Sequence, residues 1–538
     1  MELRWQWTVD SSRERFKKHK SWRPGNFALN QQFKKLFFNM KKLSHLTRTS
    51  IMLGFFFGLD KVLAFVRSIV IAREFRNSIT SLDTFNAANN LPDLLFALIS
   101  GGALAMAFIP LMSEYLTKQN RDAAWDLFSR VANLAFVATS TFAIVIAIFA
   151  EPIARFGIVP GFPPDQQQIL VELMRLNLIG TVIFSISGLV MASLQANQHF
   201  FLPALAPIFY NVGQIFGAIY LAPRFGVQGL VYGVIIGAVM HLLIQIPGLA
   251  MYHFRWTPSL DLRHTGLLEA LRLIGPRILT MFGIQAMFIL RDNLASLTKQ
   301  TGAVTSLTYG WMIMQVPETL IGTAVATAIL PTLAELASRD DWTGFRQTIE
   351  KAFRVMIALS LPIAAVMAAG IHPLVRAVFG FDEAGTSLLT WTSRVYLITL
   401  CGYTMQEVTA RAFYARKEAW FPFFGVVARL IIYVTIGAIA VIYFKNIGAP
   451  VIALAEISLT VEAVFMLVLL NRRISEPVSI NGALVRGLIA ALIGGGITYG
   501  LAVIVPGSAV LTALLGMVIG GLVALAIVWV EARLLFKL

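Results

Sequence analysis

Long apolar runs recur along this chain, separated by short stretches where glycine, proline and charge collect. A bilayer crossing takes about 20 mostly apolar residues, and on that scale the pattern predicts about fourteen helices. They fall at 50–73, 84–112, 129–150, 168–195, 202–222, 226–252, 267–298, 303–334, 352–373, 386–413, 420–443, 449–471, 484–505 and 508–532. The second, seventh and tenth are long and partly polar, as expected of helices that tilt or project beyond the hydrocarbon. No gap between segments can hold a separate soluble domain.

The pattern also repeats. Leu91-Pro92-Asp93, closed by Phe108-Ile109-Pro110-Leu111-Met112-Ser113-Glu114, is echoed by Val316-Pro317-Glu318, closed by Ile329-Leu330-Pro331-Thr332-Leu333-Ala334-Glu335. The stretch from Ala196 to Pro203 is echoed from Ala415 to Pro422. Both offsets are close to 220 residues and enclose six segments, an even number, so the copies run parallel about an axis along the membrane normal. The chain therefore divides into a basic tail (1–48), a six-helix half (49–255), a second six-helix half (256–475) and two further transmembrane helices (476–538). Duplicated halves around a central site are the usual plan of an alternating-access transporter.

Composition agrees. Hydrophobic residues make up 57% of the 538 and charged residues 14%, with a mean hydropathy of +0.71. A soluble domain carries about 25% charged residues, so the fold class is an all-α polytopic membrane protein. Cys401 is the only cysteine, which excludes an intrachain disulfide and a cysteine zinc site. The seven histidines show no metal-ligand spacing, and phosphate-loop and nucleophile-elbow patterns are absent. No metal, no cofactor and no enzyme activity are expected. Energy must come from an ion gradient, the membrane potential or consumption of the product.

The net charge of +15 is explained first by topology. Residues 1–48 hold twelve Lys and Arg against Glu2, Asp10 and Glu14, interleaved with aromatics such as Trp5, Trp7 and Trp22. This is read as a cytoplasmic tail that touches anionic lipid. A nucleic-acid arm is the alternative, but no binding fold accompanies it, so nucleic acid is not expected as a partner. With the N-terminus inside, the inside loops hold Lys118, Arg121, Arg255, Arg263, Arg339, Arg346, Lys351, Arg416, Lys417, Arg472 and Arg473. The outside loops hold the smaller set Arg73, Arg76, Arg155, Arg224, Lys299 and Lys445. An even number of spans brings the C-terminus back to the cytoplasm.

An ordered series of motifs now stands out: Val62-Leu63-Ala64-Phe65-Val66-Arg67, Ala72-Arg73-Glu74-Phe75, Asp83-Thr84-Phe85, Leu91-Pro92-Asp93-Leu94-Leu95, Ala107 through Tyr115, Gln195 through Pro207 with Asn211, and Arg411 through Lys417. The series resembles the MurJ/MviN lipid II flippases over roughly residues 50–535. That resemblance implies the fold of the multidrug/oligosaccharidyl-lipid/polysaccharide exporter superfamily. It implies flipping of a polyprenyl-pyrophosphate-linked peptidoglycan precursor from the inner to the outer leaflet of a bacterial plasma membrane. Its implied partners are that lipid-linked cell-wall precursor, membrane lipid and the cell-wall synthesis machinery. Several family charges are replaced here: by Phe96, Ala97 and Gly101 in the second helix, and by Trp311, Met312 and Gln315 in the eighth. The competing readings are a flippase for another lipid-linked oligosaccharide and a transport-deficient scaffold of the same fold.

An ionisable residue inside a span normally faces a cavity or a partner. Asp60, Lys61 and Arg67 lie in the first segment, where the two cations suit a pyrophosphate and Asp60 would tune them. Lys61 and Arg67 are offset by roughly 120° around the helix, while Asp60 and Arg67 share a face more closely. Asp83 joins the candidate substrate-binding residues. So does Arg291, which is either an interfacial anchor or a cavity residue. Its neighbour Asp292 is not expected to face it, since consecutive helix positions point apart. Arg175, Arg394, Arg429, Glu456 and Glu462 are further intramembrane charges, and Arg394 and Arg429 are expected to pair with Glu456 or Glu462. Pro92, Pro110, Pro317 and Pro331, repeated in both halves, are candidate hinges or helix breaks. The cavity between the halves is expected to be net positive, with its charge mainly from the first half. An acidic cavity would instead suit a cationic drug exporter, and carboxylates clustered at a membrane face a glycosyltransferase.

Overall fold

The computed structural model describes residues 45–100, 103–260, 265–418, 420–474 and 477–537. The basic tail up to residue 44, and Gly101 and Gly102, lie outside the described residues. The chain forms two units, Met1–Phe55 and Phe56–Leu538. In the first, the described residues are helical; everything below concerns the second.

Among the described residues there is no strand. The helices are α1 (His45–Glu74), α2 (Ile79–Ala88), α3 (Asn90–Leu95), α4 (Ala103–Lys118), α5 (Arg121–Ile148), α6 (Pro164–Ala196), α7 (Phe201–Phe225) and α8 (Gln228–Met251). They continue as α9 (Thr265–Leu297), α10 (Ala303–Ser338), α11 (Trp342–Phe379), α12 (Glu383–Ala415), α13 (Trp420–Ile447), α14 (Ala449–Asn471), α15 (Asn481–Ile504) and α16 (Ala509–Ile527). Over its described residues, every predicted segment is mainly helical. Ten helices among the described residues are long and apolar enough to cross a bilayer, so this measure does not establish the expected count of fourteen. Outside the ten are α1, the broken stretch α2–α4, α9 and α12. Of these, α1 carries Asp60, Lys61 and Arg67, α9 Arg291 and Asp292, and α12 Arg394 and Glu407, while α2–α4 is broken into pieces too short to cross alone. Charges that point to function also lower hydropathy.

Side-chain caps start several helices. Asn120, Asp341 and Asp382 accept hydrogen bonds from the backbone N–H of Ala123, Gly344 and Gly385 at 2.7, 2.8 and 2.8 Å, which satisfies donors a helix start leaves open. Gly380 ends α11 at φ 72°, where a side chain would be strained. Helices α7 and α8 meet through Gly213 and Gly217 against Gly237 and Gly233, so closely that a Cβ on any of them would enter the opposite backbone. Dispersion, not hydrophobic exclusion, drives such contacts in lipid.

The repeat extends to packing. Phe108, Met112, Phe128, Ala132 and Ala135 are buried together in the first half, and Ile329, Leu333, Ile349, Phe353 and Met356, each 221 residues later, are buried together in the second. The last two helices dock on α11, where buried Glu531 pairs with Arg486 and lies 3.6 Å from Arg354.

Candidate functional site

Between the halves lies a cavity of about 690 Å³. One wall is built from α2 and α3, where Asn86, Asn89, Asn90 and Asp93 stand at spacings of three and four and so share a helix face. The spacing of this polar stripe in an apolar segment is legible in the sequence, although only Asp93 of the four carries charge. Asn177 of α6 donates to Asn89 at 2.7 Å, which fixes the orientation of the stripe. Asp93 is exposed to the cavity.

Arg67 lines the same cavity from α1. Its Nη1 donates to Asn211 Oδ1 at 3.1 Å, and Asn211 Nδ2 donates to Asp60 Oδ1 at 2.9 Å. The expected link between Asp60 and Arg67 therefore runs through a carboxamide on α7, and Asp60 is outside the cavity wall. Arg67 Nε is buried without a partner among the described residues. Asn211→Ala would remove a charge-assisted hydrogen bond on each side of this bridge but leave the Arg67 cation in place, so only part of its contribution is lost. It should slow transport about 2- to 10-fold, read as the rate of substrate translocation in vesicles. Lys61 is exposed and does not line the cavity, consistent with its 120° offset from Arg67.

Arg291 enters from the opposite side, on α9. It is 6% exposed, its Nε lies 2.8 Å from Asp292 Oδ1, its Nη2 donates to Thr308 at 3.1 Å, and it stands over Phe288. This corrects the expectation that the neighbours cannot meet. Their Cβ atoms do point apart, but the long arginine side chain folds back to the carboxylate. Asp292 in turn accepts from Asn90 at 2.8 Å, which ties α9 to α3. The charge balance is corrected too: each half supplies one guanidinium, with Asp93 as the lining carboxylate and Asp60 and Asp292 behind. Phe96, Trp311, Met312 and Gln315 face the cavity, so the positions of the replaced family charges form part of its uncharged wall.

Asp83 does not line this cavity. It is buried (3% exposed) where α2 meets the start of α10, and its carboxylate accepts from Gly302 N–H at 2.6 Å and Thr305 N–H at 2.7 Å. An anion at a helix N-terminus satisfies open donors and meets the positive end of the dipole. Asn86 donates to Thr305 Oγ1 nearby at 3.4 Å. Those partners are 219 or 222 residues apart, close to the repeat offset. Equivalent positions of two parallel copies can meet only near their common axis, so this junction marks it. Further bonds close the same end: Arg73 donates to the Val378 and Ala377 carbonyls at 2.8 and 2.6 Å, Asn293 to the Gly157 carbonyl at 2.7 Å, and Gly161 N–H to Ser296 Oγ at 3.1 Å. A pocket of about 510 Å³ adjoins Asp83 there.

Of the other charges, Arg429 pairs with Glu456 at 2.7 Å as expected. Arg394 reaches neither glutamate and bonds the Ala368 carbonyl at 2.9 Å, because its side chain points to α11. Pro92 lines the cavity and Pro317 is buried, and π-helical turns follow at Phe96–Ser100 and Thr319–Thr323 in the two copies. Pro110 and Pro331 sit inside continuous helices, α4 and α10.

The sequence profile of the family described as "Lipid II flippase MurJ" matches residues 74–520. A lipid II flippase MurJ of Burkholderia cenocepacia is 28% identical over 429 residues, covering 78% of this chain and 81% of its own. A probable lipid II flippase MurJ of Buchnera aphidicola is 25% identical, covering 78% and 81%. A solved lipid II flippase MurJ in an inward closed conformation superposes with a TM-score of 0.75 at 19% identity, over 90% of this chain and all of that one. An inward-facing multidrug resistance MATE family transporter superposes at 0.67 and 16%, over 77% and 94%. Both structures share the fold.

Proposed function

This chain belongs to the lipid II flippase MurJ family, and from that premise we propose that it carries lipid II, a polyprenyl-pyrophosphate-linked peptidoglycan precursor, from the inner to the outer leaflet. It is a multi-pass membrane protein and a transporter. The observation that carries the reading is Arg67, held by Asn211 on the wall of a cavity between two repeated halves. A planar guanidinium donates in pairs to phosphate oxygens, and Arg291 offers a second cation from the other half. Asn89, whose carboxamide oxygen takes the bond from Asn177, turns its amide N–H groups to the same charge as neutral donors. Polar groups along the cavity lower the cost of taking a pyrophosphate through a low-dielectric core.

The excess of lysine and arginine in one set of short loops supports a reading with both termini in the cytoplasm of a bacterial inner membrane and the Asp83 junction at the outer face. A reporter fused after Leu538 should read as cytoplasmic, and external activity would reverse the orientation. In this orientation the bonded end is the outer one and the cavity serves the inner leaflet. Transport then needs the Asp83 end to open while the other end closes, with the π-helical turns after Pro92 and Pro317 absorbing the bend. The substrate's disaccharide-peptide would be handed on to cell-wall synthesis.

The test is translocation of fluorescent lipid II by the purified full chain in vesicles. Protection of the label should be lost from one leaflet only when the protein is present. Equal rates with and without protein would reject the reading. Faster flipping of a polyprenyl-pyrophosphate carrying a different oligosaccharide would assign that headgroup instead.

A further inference from the structure

Two arginines outside the cavity form a matched pair. Arg175 on α6 donates Nε to the Ala147 carbonyl of α5 at 2.9 Å. Arg394 on α12 donates Nε to the Ala368 carbonyl of α11, also at 2.9 Å. The arginines are 219 residues apart and the alanines 221, so the two contacts are copies of one device. A proline follows in both copies, Pro152 and Pro373. A proline ring pushes away the carbonyl four residues earlier, next to the one each arginine takes.

We propose that Arg175 and Arg394 are two binding sites for the phosphate of an anionic phospholipid. Both stand on bilayer-facing stripes: Ile169 and Ile179 are exposed along α6 around Arg175, and Trp391 and Ile398 along α12 around Arg394. Each carries a mark of the hydrocarbon's edge. Residues 131–150 of the first copy carry no charge, and Ala147 is three positions, about 4.5 Å, from the end of that run. Trp391 stacks on Arg394, its ring centroid 4.8 Å from Cζ, in the manner of an interfacial aromatic. The carbonyl takes Nε alone. The two terminal nitrogens of each guanidinium have no acceptor among the described residues, and neither arginine has a carboxylate partner there. A phosphate accepts two such donors at once, whereas the zwitterionic phosphatidylcholine has no net charge to attract them. The surroundings differ: Glu172 is exposed one turn from Arg175, while Tyr499 of α15 lies near Arg394. The Arg394 site should therefore bind more tightly. In the orientation given above, on which only the leaflet assignment rests, both sites face the outer leaflet.

The full chain, purified in detergent, would be titrated with phosphatidylglycerol or phosphatidylcholine and the retained lipids counted by native mass spectrometry. Phosphatidylglycerol should be retained about 5-fold more tightly per arginine. R394Q should lose more of that preference than R175Q, and the double variant should lose it all while still folding. Equal retention of the two lipids, or a double variant that keeps the preference, overturns the proposal. Should the glutamine variants not fold, a headgroup photoprobe on phosphatidylglycerol tests the unaltered protein. It should label 164–196 and 383–415, and labelling elsewhere alone overturns the proposal. Lipid counting is independent of transport, so this outcome and that of the flipping assay are read separately.

Discussion

Arg67→Ala should slow lipid II translocation about 10- to 150-fold, the loss that follows from removing a charge-assisted hydrogen bond of about 1.5–3 kcal/mol. Arg67 stands on the cavity wall, and Asn211 and Asp60 orient its guanidinium without sealing it in an ion pair. The substitution also releases Asp60 from a nearby cation. Arg67→Lys keeps the charge but loses the fork, and should recover only part of the rate. Translocation per inserted molecule is the quantity to compare, with membrane insertion followed by a C-terminal tag. An alanine variant as fast as the parent would remove Arg67 from the substrate path and favour a scaffold role.

Asp83→Ala acts on the opposite end of the cycle. Its carboxylate accepts two buried backbone N–H groups across the axis, each bond worth about 1.5–3 kcal/mol because the acceptor is ionised. Losing even one such pair shifts the balance between closed and open outer ends by at least about 100-fold. A cysteine placed at Thr301, beside the adjoining pocket, should react faster with a membrane-impermeant reagent in the Asp83→Ala background. Transport should fall as well, since a pore end that no longer closes cannot alternate. Unchanged labelling would mean that the other bonds at this end hold it shut alone. Asp83→Asn should give an intermediate result, because the amide oxygen still accepts but carries no charge.

Much of this protein was settled by its sequence. Apolar runs of bilayer length determine helices, because nothing in lipid satisfies an open backbone. The repeat of the Pro110 and Pro331 motifs carried the expectation of parallel halves, and residues 221 apart, such as Phe128 and Ile349, are buried in corresponding clusters. Arg67 was legible as a candidate because a lone guanidinium in a span is costly without a purpose. The polar face from Asn86 to Asp93 is legible there too, in its spacing. Tertiary structure alone decided which side each charge faces. Lys61 and Arg67 share one helix, yet only Arg67 meets the cavity. Asp83 became a junction between halves and not a cavity residue, because the start of α10 lies against it. Arg394 bonded a carbonyl of α11 and Arg429 a glutamate of α14. Helical periodicity gives a residue's angle about its own axis, but the neighbour at that angle comes from the packing of helices far apart in the chain.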